Sequence, residues 1–166
     1  MSLFSRSTKF FILALASILL LAGCTLSPVY TEGAAQNYAI EYSKPSSLTD
    51  QTIIQELAFK LGRSKGAPKY ALVVSSSTAV RTIFSVGSTF PRQEYETTVR
   101  STFVLTSVST GEQMLKASRF ATAIYQGSSQ NIANNQAKAD AYQRAAKDVA
   151  RQGELLIISA INEDQS

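Results

Sequence analysis

An α+β domain with two helices laid on one face of a four-stranded sheet, in the order β-α-β-β-β-α, is the fold this sequence predicts. Three observations carry the prediction. Three long central segments alternate apolar and polar residues with the period of two that marks a half-buried strand. Two further segments space their apolar residues at helical intervals. Pro45, Gly62, Pro68, Gly87 and Gly111 fall between these segments rather than inside them.

The first strand is short: Tyr38, Ile40 and Tyr42 alternate with Ala39 and Glu41, and Pro45 ends it. A helix follows, with Ser47 and Asp50 at the spacing of a capping box. Ile53, Ile54, Leu57, Ala58 and Leu61 form its inner face, and Gly62 supplies the stop. After the turn at Gly62 to Pro68, the segments Lys69 to Val86, Gln93 to Val108 and Gln113 to Gln126 read as an antiparallel meander. The loop from Gly87 to Arg92 joins the first pair. Ser109-Thr110-Gly111-Glu112 joins the second, with Gly111 free to take positive φ. In the middle strand Tyr95, Val99, Phe103 and Leu105 share one face, and Glu94, Glu96, Thr98, Arg100 and Thr102 the other.

The last element is a long helix from about Asn131 to Ala160. Ala133, Ala137, Ala141, Ala145, Val149 and Leu156 form its stripe of mostly small residues, which permits close approach to a sheet. Gly153 inside it costs roughly 1 kcal/mol relative to alanine, so a kink or fraying is expected there.

The 166-residue chain is long enough for one domain with one core. Its beginning differs from the rest. Arg6 and Lys9 precede an apolar run from Phe10 to Leu21, closed by small residues, which is the anatomy of a signal peptide. A helix crossing hydrocarbon needs ~20 apolar residues, and this run is too short for that. The expected organisation is a cleaved signal peptide over 1–23, a tether over 24–35, rich in small and polar residues, and a single domain over 36–166. Cys24 is the only cysteine, so no disulfide forms and burial alone must hold the domain together. The formal charge is +4, and loss of Arg6 and Lys9 with the signal brings it to about +2. Such a balance is weak evidence for an acidic partner, and nucleic acid is not expected as one.

Catalysis is not expected either. The chain has no histidine, which removes the commonest general base, the commonest metal ligand and every Ser-His-Asp arrangement. Metal sites of cysteine and histidine are excluded, and no acidic cluster suggests a carboxylate site. Glu94 and Glu96 point to one strand face but read best as a solvated pair. Ser75, Ser76 and Ser77 lack the flanking glycines of a nucleophile elbow. No catalytic residue, metal or cofactor is assigned.

Two features bear on binding, and ordinary solvated charge accounts for the first of them as well. Lys60, Arg63, Lys65 and Lys69 gather at the end of the first helix, where cations favour the dipole. Arg81, Arg92 and Arg100 fall on the strands or the loop between them, and guanidinium forks match phosphate oxygens. These three are the candidate contacts for a phosphorylated or acidic glycolipid, with Arg92, beside Pro91 at an exposed loop tip, first among them. The second feature is a strand surface crowded with hydroxyls: Ser75, Ser77, Thr97, Thr98, Ser101, Thr102, Thr106 and Ser107. A solvated face and a polar fit inside another protein both account for it.

Leu21-Ala22-Gly23-Cys24 resembles the lipobox of bacterial lipoproteins. The resemblance implies cleavage before Cys24, a diacylglyceryl group on its sulfur and an acyl chain on its new amino group. Each buried methylene of such chains contributes ~0.8 kcal/mol to membrane anchoring. Thr25 stands where an aspartate retains enteric lipoproteins in the inner membrane, which points to the outer membrane.

The element order, the lipobox and several strings together resemble LptE, the lipoprotein partner of the lipopolysaccharide translocon, in its alphaproteobacterial form. The strings are Cys24-Thr25-Leu26-Ser27-Pro28-Val29-Tyr30, Tyr70-Ala71-Leu72-Val73-Val74 and Thr98 through Leu105. They continue with Ala123-Ile124-Tyr125, Gln130 through Asn134, Ala139-Asp140-Ala141, Arg144-Ala145-Ala146 and Val149-Ala150. Two residues depart from the family pattern: Phe103 stands where a tyrosine is frequent, and Gly153 where an apolar helix residue is usual. The turn after Tyr125 has no lysine or arginine, so the family's basic lipopolysaccharide contacts are not carried over. The resemblance implies a non-enzymatic lipoprotein on the periplasmic side of the outer membrane. It would plug the lumen of the β-barrel LptD, help that barrel assemble and assist lipopolysaccharide insertion into the outer leaflet. A lipid-carrying or auxiliary lipoprotein of an envelope transporter is the alternative, and it requires an apolar pocket between helices and sheet.

Overall fold

A computed structural model describes residues 38–86, 92–127 and 129–164, and the side chains of residues 84–86 and 92 are outside the description. The expectations for the signal peptide, the tether and Cys24 lie outside the described residues. The elements are β1 (Ile40–Tyr42), α1 (Leu48–Leu61), β2 (Tyr70–Val86), β3 (Arg92–Ser107), β4 (Gln113–Gln126) and α2 (Asn131–Asp164). Both helices pack on one face of a four-stranded sheet ordered β1-β2-β3-β4, the architecture expected from the sequence. The sheet is mixed. β1 pairs parallel with β2 across the α1 crossover, while β2, β3 and β4 form the antiparallel meander.

Strand parity sets the core. Leu72, Val74, Val99, Phe103 and Leu105 face the helices and are nearly or fully buried. Against them pack Ile53, Ile54, Leu57 and Leu61 of α1 and Ala145, Val149, Ile157 and Ile161 of α2. Tyr95 and Tyr125 close the far end of this layer as a stacked pair 5.2 Å apart. Gly111 adopts φ 72° in the β3–β4 turn, the left-handed conformation expected there.

Parity also divides the hydroxyl-rich surface, which is two surfaces rather than one. Thr97, Ser101 and Ser107 sit at odd positions of β3 beneath the helices and are buried. Ser75, Ser77, Thr98, Thr102 and Thr106 face the other way.

α2 corrects two expectations. It runs without interruption from Asn131 to Asp164, so Gly153 does not fray it. A Cβ there would lie 2.6 Å from Phe103 Cζ, so the glycine makes room for a ring. The buried stripe is Ala141, Ala145, Ala146, Val149, Ala150, Gly153, Ile157, Ala160 and Ile161. Ala133 is exposed, while Ala137 and Leu156 are only half-buried. Steps of four residues advance about 400°, so the stripe traced through Ala133 and Val149 drifts by roughly 160° around the helix. The true buried face mixes steps of three and four.

α1 keeps its cap but extends it. The Asp50 N–H donates to Ser47 Oγ at 3.0 Å. The Asp50 carboxylate accepts from the Ser46 N–H at 3.2 Å and Ser46 Oγ at 2.6 Å. It also accepts from Ser76 Oγ on β2, which ties the helix start to the sheet. Burial alone would raise the Asp50 pKa, but the hydrogen bonds from Ser46, Ser76 and Ser47 outweigh it and hold the carboxyl below its usual range.

Candidate functional site

The face of the sheet turned away from both helices carries no described element, and three strands of 14 to 17 residues build it. Such strands span about 45 Å by about 14 Å at the usual rise and spacing. Register places the outward residues in rows: Val73, Val104 and Lys116; Ser75, Thr102 and Ser118; Ser77, Arg100 and Phe120. The rows continue with Ala79, Thr98 and Thr122, then Arg81, Glu96 and Ile124. A bulge between Thr82 and Phe84 ends the regular pattern. The surface is therefore hydroxyl-rich at its centre, with Val73 beside Val104 at one end and Phe120 and Ile124 spaced along β4; Val73, Phe120 and Ile124 are about half exposed.

Two of the three candidate arginines share this face. Arg81 Nε donates to Glu96 Oε1 at 2.7 Å across the β2–β3 ladder. That hydrogen bond and the carboxylate charge raise the Arg81 pKa above its already high value. Arg100 lies with its guanidinium 5.0 Å from the Phe120 ring centroid, a cation–π contact between neighbouring strands. Ser77 is the partner of Arg100, so Arg81 sits four residues further along β2, roughly 13 Å away. The structure does not bring the two together as a phosphate clamp. Arg92 begins β3 opposite Val86, so its backbone belongs to the ladder rather than to the loop; residues 87–91 and the Arg92 side chain lie outside the description.

The Arg81–Glu96 pair is exposed and contributes little to stability. Arg81→Ala is expected to lower the unfolding free energy by less than about 1 kcal/mol, read by urea titration. A larger loss would mean that the pair sets the β2–β3 register.

Phe120 and Ile124 were not singled out from the sequence, although the alternation of β4 places both opposite the buried parity. Their significance depends on register, which sets Phe120 beside Arg100. No group of three or more metal-ligating side chains occurs among the described residues. No helix among them is long and apolar enough to cross a membrane. The centre of the layer between helices and sheet, where a lipid carrier would keep its ligand, is filled by Val99, Phe103, Leu105, Val149 and Ile157, all 0% exposed, while a space of about 430 Å³ opens towards one end between Leu48, Thr52 and Gln55 of α1, Thr78 of β2 and Tyr142 of α2.

No family model matches the chain, and no curated protein matches it. Among solved structures, the fold is similar to that of a protein described as a lipoprotein from Caulobacter crescentus, with a TM-score of 0.54 and 22% identity over 73% of this chain and 89% of that one. It is also similar to rare lipoprotein B from Shewanella oneidensis, with a TM-score of 0.55 and 11% identity over 76% of this chain and 96% of that one. Identities this low establish likeness of fold, and in both cases the likeness spans most of each chain.

Proposed function

We propose that this chain is an outer-membrane lipoprotein that binds and plugs the lumen of the lipopolysaccharide translocon barrel LptD, assisting its assembly and the insertion of lipopolysaccharide into the outer leaflet. The observation that carries the reading is the open sheet face. A barrel lumen is polar and water-filled, so a plug must present hydroxyls, internally paired charge and isolated apolar side chains rather than a continuous greasy patch. Ser75, Ser77, Thr98, Thr102 and Thr122, with the Arg81–Glu96 and Arg100–Phe120 pairs, have that character. The fold likeness to rare lipoprotein B supports the lipoprotein part of the reading. The absence of histidine, and of any cysteine beyond Cys24, supports a role by adhesion rather than by bond-making.

The test is co-purification of the tagged chain with a large outer-membrane protein from gently solubilised membranes, together with depletion followed by measurement of surface lipopolysaccharide. Cys24→Ser is expected to leave the signal uncleaved and the chain out of the outer membrane, read by fractionation and mass. Recovery of the wild-type domain alone, with normal surface lipopolysaccharide on depletion, would overturn the reading.

A further inference from the structure

The charged side chains of the open sheet face are not equivalent. Glu96 answers Arg81 at 2.7 Å, so that row carries its own counter-ion. Arg100, near the midpoint of β3, has none. Its ladder neighbours are Ser77 on β2 and Phe120 on β4, and the rows on either side, through Ser75 and Ala79, hold only hydroxyl side chains and an alanine. Glu96 lies four residues along β3, roughly 13 Å away, and is already engaged. Arg100 is exposed, and no described residue forms an ion pair or a hydrogen bond with its guanidinium. The Phe120 ring, 5.0 Å from it, orients the group, but a ring quadrupole does not cancel a full charge.

Covering the face changes what an isolated cation costs. In the free chain water solvates Arg100. Beneath a partner the guanidinium gives up water and must find an acceptor, because a covered charge without a counter-ion is strongly unfavourable. Its place is central: β3 has a strand on either side, so the ends of the face stay wet more easily than its middle. Arginine is prominent among the residues that carry binding energy at such central positions. Spacing then selects the counter-ion. Lys116, the other cation of this face without an ion-pair partner among the described residues, lies opposite Val104, four residues along β4 from Phe120 and roughly 13 Å away. A phosphate with a charge of about two draws on several donors at once, and only one guanidinium is within reach. A carboxylate carries a single charge and matches one guanidinium fork with paired hydrogen bonds.

We propose that an aspartate or glutamate on the lumen wall of the barrel partner pairs with Arg100 and anchors the sheet face of the plug there. The inference rests on the plug reading and names the partner's chemistry at one point of the interface. It assigns Arg100 to the wall rather than to a phosphorylated glycolipid. Phe120 holds the guanidinium in place before docking, which lowers the side-chain freedom lost on binding. Arg81 brings its own carboxylate, so two arginines of one face differ in what they ask of the partner.

The test uses the full lipidated chain co-expressed with the barrel. Arg100→Gln is expected to lower recovery of the complex about tenfold, and Arg100→Lys, which keeps the charge and loses the fork, by about threefold. Circular dichroism of the free variants should match wild type, since Arg100 is exposed. A photo-crosslinking residue at Thr98 or Thr102, the outward neighbours of Arg100 on β3, identifies the wall segment that faces it. Replacing the carboxylate found there by lysine should restore capture of Arg100→Glu, a recovery that a merely structural role of Arg100 would not give. Wild-type recovery of a folded Arg100→Gln chain, or cross-links only to wall segments without a carboxylate, overturns the inference and leaves the plug reading standing. Failure of the wild-type chain to bring down any barrel removes both. Wild-type recovery with the barrel, combined with lost binding of purified lipopolysaccharide to the free Arg100→Gln chain, assigns Arg100 to a glycolipid phosphate and overturns the inference as well.

Discussion

Gly153→Ala is expected to destabilise the protein by about 1–3 kcal/mol, although alanine is the better helix former by about 1 kcal/mol. A Cβ at this position would lie 2.6 Å from Phe103 Cζ and 2.8 Å from Phe103 Cε1, closer than carbon atoms approach. Neither partner has room to yield. Phe103 is 0% exposed in the centre of β3, and Gly153 is buried in a continuous helix. Urea unfolding checks the loss, and a double-mutant cycle with Phe103→Leu checks its cause, since a smaller side chain under the helix should recover most of it. Additive losses would place the effect elsewhere. The ring of Phe103 on the sheet occupies the room left by the missing side chain on the helix.

The Asp50→Ala variant is expected to lose about 3 kcal/mol at neutral pH. Its buried carboxylate accepts from Ser46 twice and from Ser76 once, and hydrogen bonds to charged groups contribute more than neutral ones. Removing it strands the Ser76 hydroxyl and releases the start of α1 from β2. The pH dependence has a definite sign. The folded-state pKa lies below that of an unfolded aspartate, so the unfolded chain binds the proton more readily. The stabilisation is fully present above the ordinary carboxylate range and is lost as pH falls below about 4 toward the folded pKa. Asp50→Asn should accordingly flatten the acid limb of the stability curve, measured as urea midpoint against pH. An unchanged slope would mean that other carboxylates dominate acid unfolding.

Local pattern sufficed wherever a signal repeats with the period of its element. The alternation along β3 correctly separated Val99, Phe103 and Leu105 from Thr98, Arg100 and Thr102, because side chains of a strand point to alternate faces. The cap at Ser47 was legible for the same reason, being set within three residues. The stripe on α2 was not, because small residues are abundant all around that helix and only packing selects the face that is used. Hydroxyls misled in a similar way. Thr97 and Ser101 are polar by composition but buried by parity, beneath a helix whose alanines leave space for small side chains.

Sequence alone determined the order of elements, the two-helix, four-strand architecture, and the absence of histidine. These follow from periodicity, turn residues and composition, which are local or additive properties. Tertiary structure decided that Arg81 and Arg100 lie on one face yet apart, that Asp50 reaches β2, and that Gly153 answers Phe103. Each of these depends on the register and distance between segments far apart in the chain, and neither is encoded in any one window of it.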